Sequence, residues 1–368
     1  MALNRSQADI AASSSAAAGG DGRDRFSAAE LAIVLSQYDL GAIESIKEFP
    51  RGSRRAPKMH IRAQRGSYLL KRRAAGKDDP FKVALSHQMQ LYLASKQFPL
   101  PLLIGTRDDN NSMLQYNGEI YELFEFIQGV SYESSLEITG EAGKTLALFH
   151  KLLRDFESEY RPHTGTYHRA KSVTTSLRII PRTLAQGDPE GKKVPDEIIR
   201  LMQYLYSSYK EAAARAEDLG LDQWPTQIIH CDWHPGNMLF RGNWVVAVLD
   251  YDVARIHQRV IDIANGALQF SILGGAQDPT QWPDAIDMKR FIQFLHDYES
   301  VPDCMLSKAA LKSLAWLMIE ALIAEAAIPI ANTGTFARIK GEGFLRMVER
   351  KVGWLHDHAS QLAVVLDK

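Results

Sequence analysis

Two apolar runs, Ile228-Ile229 and Trp244-Val245-Val246-Ala247-Val248-Leu249, flank a polar segment, His230-Cys231-Asp232-Trp233-His234-Pro235-Gly236-Asn237, and the second run leads into Asp250 and Asp252. Short apolar runs bounded by turn residues are expected to be strands, which makes the polar segment a loop and puts Asp250 at a strand end. That geometry holds Asp232 and Asn237 on one side and delivers Asp250 to them. Acid and amide oxygens converging on one spot suit Mg²⁺, a hard cation that takes oxygen ligands and keeps waters or substrate phosphates. Asp232 is then placed to act as a base on an acceptor hydroxyl.

Other chemistry is weaker on the same residues. His230, Cys231 and His234 are good zinc ligands, but no paired Cys-x-x-Cys is present and zinc leaves Asn237 and Asp250 unexplained. Cys231 alternates with the catalytic positions and is expected to face the core, with no organised base beside it. His230 reads as a buried hydrogen-bonding brace, and His234 as packing in the loop. Asp252 shares the face of Asp250 only if the strand continues, so it is either a second metal or acceptor contact or a loop brace.

The spacing His-x-Asp-x-x-x-x-Asn, followed thirteen residues later by an Asp at a strand end, resembles the catalytic and metal loops of protein kinases and, more closely, of aminoglycoside phosphotransferases. Trp233-His234-Pro235-Gly236-Asn237 is similar to small-molecule kinases of the aminoglycoside and choline phosphotransferase superfamily, including its spore-coat-protein and homoserine-kinase-like branch. The resemblance implies that Asp232 meets the hydroxyl proton and that Asn237 and Asp250 hold Mg²⁺ at the phosphates of ATP. It implies a bracing role for Asp262 in Asp262-Ile263-Ala264, and makes Lys71 of Ser67-Tyr68-Leu69-Leu70-Lys71 the lysine that contacts those phosphates. Tyr121-Glu122-Leu123-Phe124-Glu125-Phe126-Ile127-Gln128-Gly129 resembles the fifth strand entering the hinge, with Phe124 as gatekeeper and the backbone of Glu125, Phe126 and Ile127 binding adenine. Gly143 to His150 resembles the helix after the hinge, so the likeness covers about residues 43–269. No Ala-Pro-Glu or activation segment follows Asp250, which disfavours a protein kinase.

Two departures stand out. The family lysine is normally paired with a Glu on the following helix, yet no Glu occurs between Glu48 and Glu119. That helix offers His87 or Gln88, so Lys71 is expected to be oriented by Asp250 or by the phosphates. The loop Pro50-Arg51-Gly52-Ser53-Arg54-Arg55-Ala56-Pro57-Lys58 holds one Gly among four bases, where a glycine-rich cover is the kinase norm. These gaps motivate a rival function, a catalytically impaired nucleotide-binding or scaffold protein of the same fold.

The elements that must position these groups follow from periodicity. Residues 1–24 are Ala-, Ser- and Gly-rich and are expected to form a disordered tail. Ser27 and Glu30 form the pattern of a capping box opening a helix that Gly41 ends. Strands are expected over 45–48, 58–64, 67–72, 112–116 and 119–126, making a five-stranded antiparallel sheet that a helix over 82–96 interrupts. Helices are expected over 141–156 and 194–219 and in several segments beyond 261, with a β-rich island over 227–253. The fold class is thus α+β, a two-lobed protein-kinase-like fold with a small antiparallel-sheet lobe at 25–129 and a large helical lobe at 130–368.

The 368 residues carry 43 Lys+Arg against 44 Asp+Glu, a formal net charge of −1. That average conceals ten bases and no acid over residues 51–77, the pattern of a phosphate-rich ligand site or of a basic β surface. Aromatic interleaving is absent there beyond Tyr68, so no nucleic-acid partner is expected. Only Cys231 and Cys304 occur, the 317–331 apolar run is broken by Glu320 and Glu325, and no basic-then-apolar leader is seen. No membrane association is expected, and the cytoplasm is the expected compartment. In the superfamily resembled, C-terminal helices line the acceptor pocket and acids there recognise amines, which flags Glu320 and Glu325. The loop from Tyr160 to Lys171 is expected to be a solvated connector, with reach to an acceptor as the alternative. The expected partner is a small-molecule hydroxyl acceptor of unspecified identity.

Overall fold

A computed structural model describes residues 23–186, 194–274 and 278–364. The tail expected over 1–24 lies, apart from its last two residues, outside the described residues. The small lobe opens with α1 (Ala28–Ser36), whose capping box is complete: the Ser27 hydroxyl accepts from the Glu30 amide, and the Glu30 carboxylate accepts from the Ser27 amide, both at 3.1 Å. Five strands follow: β1 (Ile43–Glu48), β2 (Lys58–Ala63), β3 (Gly66–Arg72), β4 (Leu114–Tyr116) and β5 (Glu119–Glu125). They pair antiparallel in the order β1-β2-β3-β5-β4. The expected fourth strand starts two residues late because Ser112 turns aside to bond the His87 ring.

Strand alternation sorts this lobe into two faces. Ile61, Tyr68, Leu70, Tyr121 and Leu123 pack against Val34, Leu35 and Tyr38 as a separate small core. The intervening positions, in the rows Lys58-Lys71-Glu122 and His60-Leu69-Phe124, project from the opposite face. Between β3 and β4 lies α2 (Pro80–Ser95), capped by Asp79 with Pro80 in its first turn. Its Met89 and Leu93 belong to the core of the large lobe, so this helix is packed against the body that carries the chemistry.

In the large lobe, α3 (Leu136–Leu152) begins five residues before the expected start because Ser135 supplies an N-cap to the Ile138 amide. It crosses α7 (Met288–Glu299) closely enough that a β-carbon on Gly143 would lie 2.1 Å from the Phe294 carbonyl oxygen. The remaining helices are α4 (Lys171–Gln186), α5 (Asp196–Asp218), α6 (Val260–Ser271), α8 (Lys308–Thr333), α9 (Gly341–Asp357) and α10 (Ala359–Val364). By length and composition α8 could cross a membrane despite Glu320 and Glu325, but 72% of its apolar stretch is buried inside the fold, as befits a core helix. The β-rich island resolves into β7 (Thr226–Ile229), the hairpin β8 (Met238–Arg241) and β9 (Trp244–Val248), and β10 (Arg255–Gln258), which pairs with β7 and with the short β6 (His163–Thr164). The result is the expected two-lobed α+β architecture.

Candidate active site

The loop after β7 is held by its own backbone amides. Asp262, fully buried in the first turn of α6, accepts from the His230 amide at 2.5 Å and from the Cys231 amide at 2.7 Å. His150 of α3 contacts the same carboxylate at 3.2 Å and is fixed on its other side by the Tyr298 hydroxyl at 2.9 Å. Asp262 is therefore a brace of the loop. His230 accepts from the Asp232 amide through Nδ1, and its Nε2 donates to the Leu249 carbonyl at 3.2 Å, joining the loop to the end of β9. Burial lowers the pKa of His230, which suits a neutral ring with one donor and one acceptor. Burial also raises the Cys231 thiol well above its ordinary value, which removes it as a nucleophile.

Asp232 and Asn237 meet directly. The Asn237 side-chain amide donates to Asp232 Oδ2 at 2.7 Å and to the Asp232 carbonyl at 3.1 Å, while the Leu249 amide donates to the Asn237 carbonyl at 2.8 Å. Asp250 follows at once, exposed and at φ +63. A non-glycine residue in that region costs about 1–2 kcal/mol, and aspartate is among the side chains that tolerate it. The His234 ring accepts from the Gly236 amide through Nδ1, which leaves the proton on Nε2, 3.5 Å from Asp232 Oδ1. Burial alone would raise the Asp232 pKa; His234 and Asn237 outweigh it and hold the carboxyl below its ordinary range. Among the described residues no three His, Cys, Asp or Glu side chains cluster as a metal cage, and Asn237 with Asp250 is instead an all-oxygen pair of the kind Mg²⁺ uses with phosphates.

Lys71 is oriented by neither Asp250 nor a helix residue. Its ammonium lies 3.3 Å from Glu122 and 3.6 Å from Asp252. Glu122 is its cross-strand neighbour on β5, so an antiparallel ladder supplies the acid that the following helix lacks. Glu122 has no exposed surface and is also bonded by Arg73 and by His87 Nε2, each at 2.7 Å. Arg73 reaches Asp252 at 2.7 Å as well, tying the small lobe to the turn after β9. Burial would lower the Lys71 ammonium; Glu122 and then Asp252 keep it above its ordinary value. For Glu122 the burial effect is overcome by Lys71, the His87 hydrogen bond and Arg73, and the carboxyl stays far below its ordinary range. Asp252 is thus a brace between lobes. The signal for Glu122 was an acid between Tyr121 and Leu123 in an otherwise apolar strand, opposite the lysine.

Other expected residues separate. The amide of Phe126 is spent on the Ser67 carbonyl at 2.8 Å and that of Glu125 on Leu102, whereas the Ile127 amide has no backbone partner among the described residues. Phe126 lies against His60 in a tilted ring contact with centroids 4.0 Å apart, beside the row that Leu69 and Phe124 share. The basic run disperses: Arg62 and Arg65 pair at the surface with Glu44 and Asp39, Arg72 pairs with Glu30 of α1, and Lys58 lies beside Lys71. Glu320 is buried, accepting from His168 at 2.6 Å and from the Arg169 amide at 3.1 Å, so it ties the end of the 160–171 loop to α8. Glu325 is different: it is solvent-accessible, bonded by Gln269, and close enough to His234 and Asp232 to feel both charges.

The phosphotransferase enzyme family (APH) matches residues 45–306, most of the chain. The chain belongs to this phosphotransferase family. A homoserine kinase of Sinorhizobium medicae (strain WSM419) is 25% identical over 239 residues, which cover 64% of this chain and 66% of that relative, just under two thirds of its length. An aminoglycoside phosphotransferase from Alicyclobacillus acidocaldarius subsp. acidocaldarius DSM 446 has the same fold, with a TM-score of 0.64 at 16% identity over 89% of this chain and 95% of that one. A microcompartment-associated aminopropanol kinase superposes with a TM-score of 0.62 at 13% identity, covering 90% of this chain and 97% of its own. The resemblance read from Trp233-His234-Pro235-Gly236-Asn237 therefore holds.

Glu122 generates a pH prediction. A carboxyl whose folded pKa lies below its unfolded value near 4.5 adds stability that is fully present above that value and lost as pH falls toward the folded pKa. Glu122→Gln should flatten this acid limb of the unfolding profile. At pH 7 it should cost about 3–5 kcal/mol, because Lys71 and Arg73 lose a buried counter-charge. Urea melts from pH 7 to 3 measure both effects.

Proposed function

We propose that this chain transfers the γ-phosphoryl group of ATP to the hydroxyl of a small amino alcohol, with homoserine as the first candidate. The observation that carries the proposal is the bonded pair Asp232–Asn237 locked through Leu249 to Asp250. It groups an ionised base, an amide oxygen and a free carboxylate in one rigid turn.

In this reading Lys71 positions the phosphates, and the backbone of Glu125, Phe126 and Ile127 faces adenine, with the Ile127 amide as its free donor. Asn237 and Asp250 would hold Mg²⁺, which supplies charge neutralisation at the phosphates. The Asn237 nitrogen is committed to Asp232, leaving its oxygen for a cation, and Asp250 makes no ion pair among the described residues. Asp232 orients the acceptor hydroxyl and takes its proton as the hydroxyl oxygen bonds to phosphorus. The bond from that phosphorus to the β-phosphate bridging oxygen breaks and ADP leaves. Positioning and electrostatics carry such transfers.

Glu325 supports an amine on the acceptor. It is an exposed carboxylate, hydrogen-bonded by Gln269 and within electrostatic reach of His234 and Asp232. The homoserine and aminopropanol kinases that resemble this chain bear amino alcohols in their names. The rival, an impaired scaffold, drew on the missing helix acid, and Glu122 makes good that charge.

Two measurements test this. Asp232→Asn should lower turnover by about 10²–10⁴-fold with Mg·ATP affinity largely intact, read as phosphate-ester formation and by calorimetry; unchanged turnover removes the assignment. Glu325→Gln should raise KM for amine-bearing acceptors about tenfold, with kcat held and amine-free alcohols unaffected. Equal effects on both acceptor classes would rule out ammonium recognition by this residue.

A further inference from the structure

Lys58 opens β2 directly across the ladder from Lys71, so the two ammonium side chains share one face. Glu122 is already claimed by Lys71, Arg73 and His87, and no carboxylate among the described residues lies within ion-pair distance of Lys58. Its one hydrogen bond runs to the Arg51 carbonyl at 3.2 Å. The covering loop closes on it: a β-carbon on Gly52, which sits at φ +83, would fall 2.5 Å from Lys58 Nζ. Burial first, and the charge of Lys71 next, push the Lys58 ammonium down to about 8, while Asp250 and Asp252 act in the other direction. The ammonium thus lies beside a second cation with no carboxylate of its own in contact among the described residues. Two neighbouring cations, of which only Lys71 has carboxylate partners among the described residues, are unfavourable without a ligand and favourable once a polyanion enters.

We propose that Lys58 is a second phosphate-binding residue, gripping the outer phosphates of the nucleotide from β2 while Lys71 grips them from β3. This rests on the ATP reading above. It also gives the unusual loop a rationale. A cover with a single glycine offers few bare amides to phosphate, and an ammonium beneath it, strapped to the Arg51 carbonyl, takes their place.

The alternative is that Lys58 only straps the loop, and the two are separable. Lys58→Gln and Lys58→Arg are compared with the unaltered chain by calorimetry against Mg·ATP, Mg·ADP and adenosine, and by melting without nucleotide. Lys58→Gln should weaken Mg·ATP by about tenfold or more, Mg·ADP less and adenosine not at all, and Lys58→Arg should restore most of the loss. Its melting temperature without nucleotide should hold or rise, since a repulsion is removed. Unchanged Mg·ATP affinity in Lys58→Gln overturns the proposal. So does a lowered melting temperature with Mg·ATP binding intact, or a chain that no longer folds, because either makes the lysine structural. Failure of the unaltered chain to bind Mg·ATP would instead remove the ATP reading itself.

Discussion

A carboxylate with no exposed surface and three cationic or ring-nitrogen partners constrains the rest of the site. Glu122 cannot be buried alone: an unpaired charge in that position costs several kcal/mol, so every element that reaches it is held in register by it. β3 brings Lys71, the segment after β3 brings Arg73, and α2 brings His87. Arg73 continues to Asp252, which belongs to the other lobe. The lysine that faces the cleft is therefore fixed by a sheet ladder and by a bridge between lobes. A partner on a neighbouring strand moves with the strand, whereas one on a helix moves with the helix, so here the lysine keeps its partner whatever α2 does.

The second constraint is Asp262. Two successive loop amides point at one buried carboxylate, and His150, Tyr298 and Arg259 extend the chain of bonds into α3 and α7. This brace allows Cys231 its φ of +65, a conformation that the chain would not hold unaided. His230 then carries the same rigidity to Leu249, one residue before Asp250. Asp232, Asn237 and Asp250 thus stand on one framework of hydrogen bonds. Such a framework suits a reaction whose rate rests on positioning.

Local pattern made most of the fold legible. The alternation in β2, β3 and β5, the Ser27–Glu30 capping box and the polar loop between two apolar runs are all short-range signals, and each has its structural counterpart. What escaped was long-range. The acid partner of Lys71 was sought on the helix that follows it, but Glu122 lies some fifty residues on and becomes a neighbour only through strand pairing. Glu320 and Glu325 share one apolar stretch and read alike, yet five residues along a helix turns the second acid well away from the first. One is buried against His168, and the other is exposed and bonded by Gln269. The basic run at 51–77 behaves likewise: distant acids take Arg62, Arg65 and Arg72 as partners, while strand pairing sets Lys58 beside Lys71.

The central claim is that Glu122 acts on the nucleotide through Lys71. A double-mutant cycle on Mg·ATP affinity, with Lys71→Met, Glu122→Gln and the two together, tests it most directly. Each single variant should weaken binding, and the double variant should bind no worse than Lys71→Met alone, because the acid has nothing left to orient. Losses that simply add would contradict the account and make Glu122 a structural acid unconnected with the phosphates.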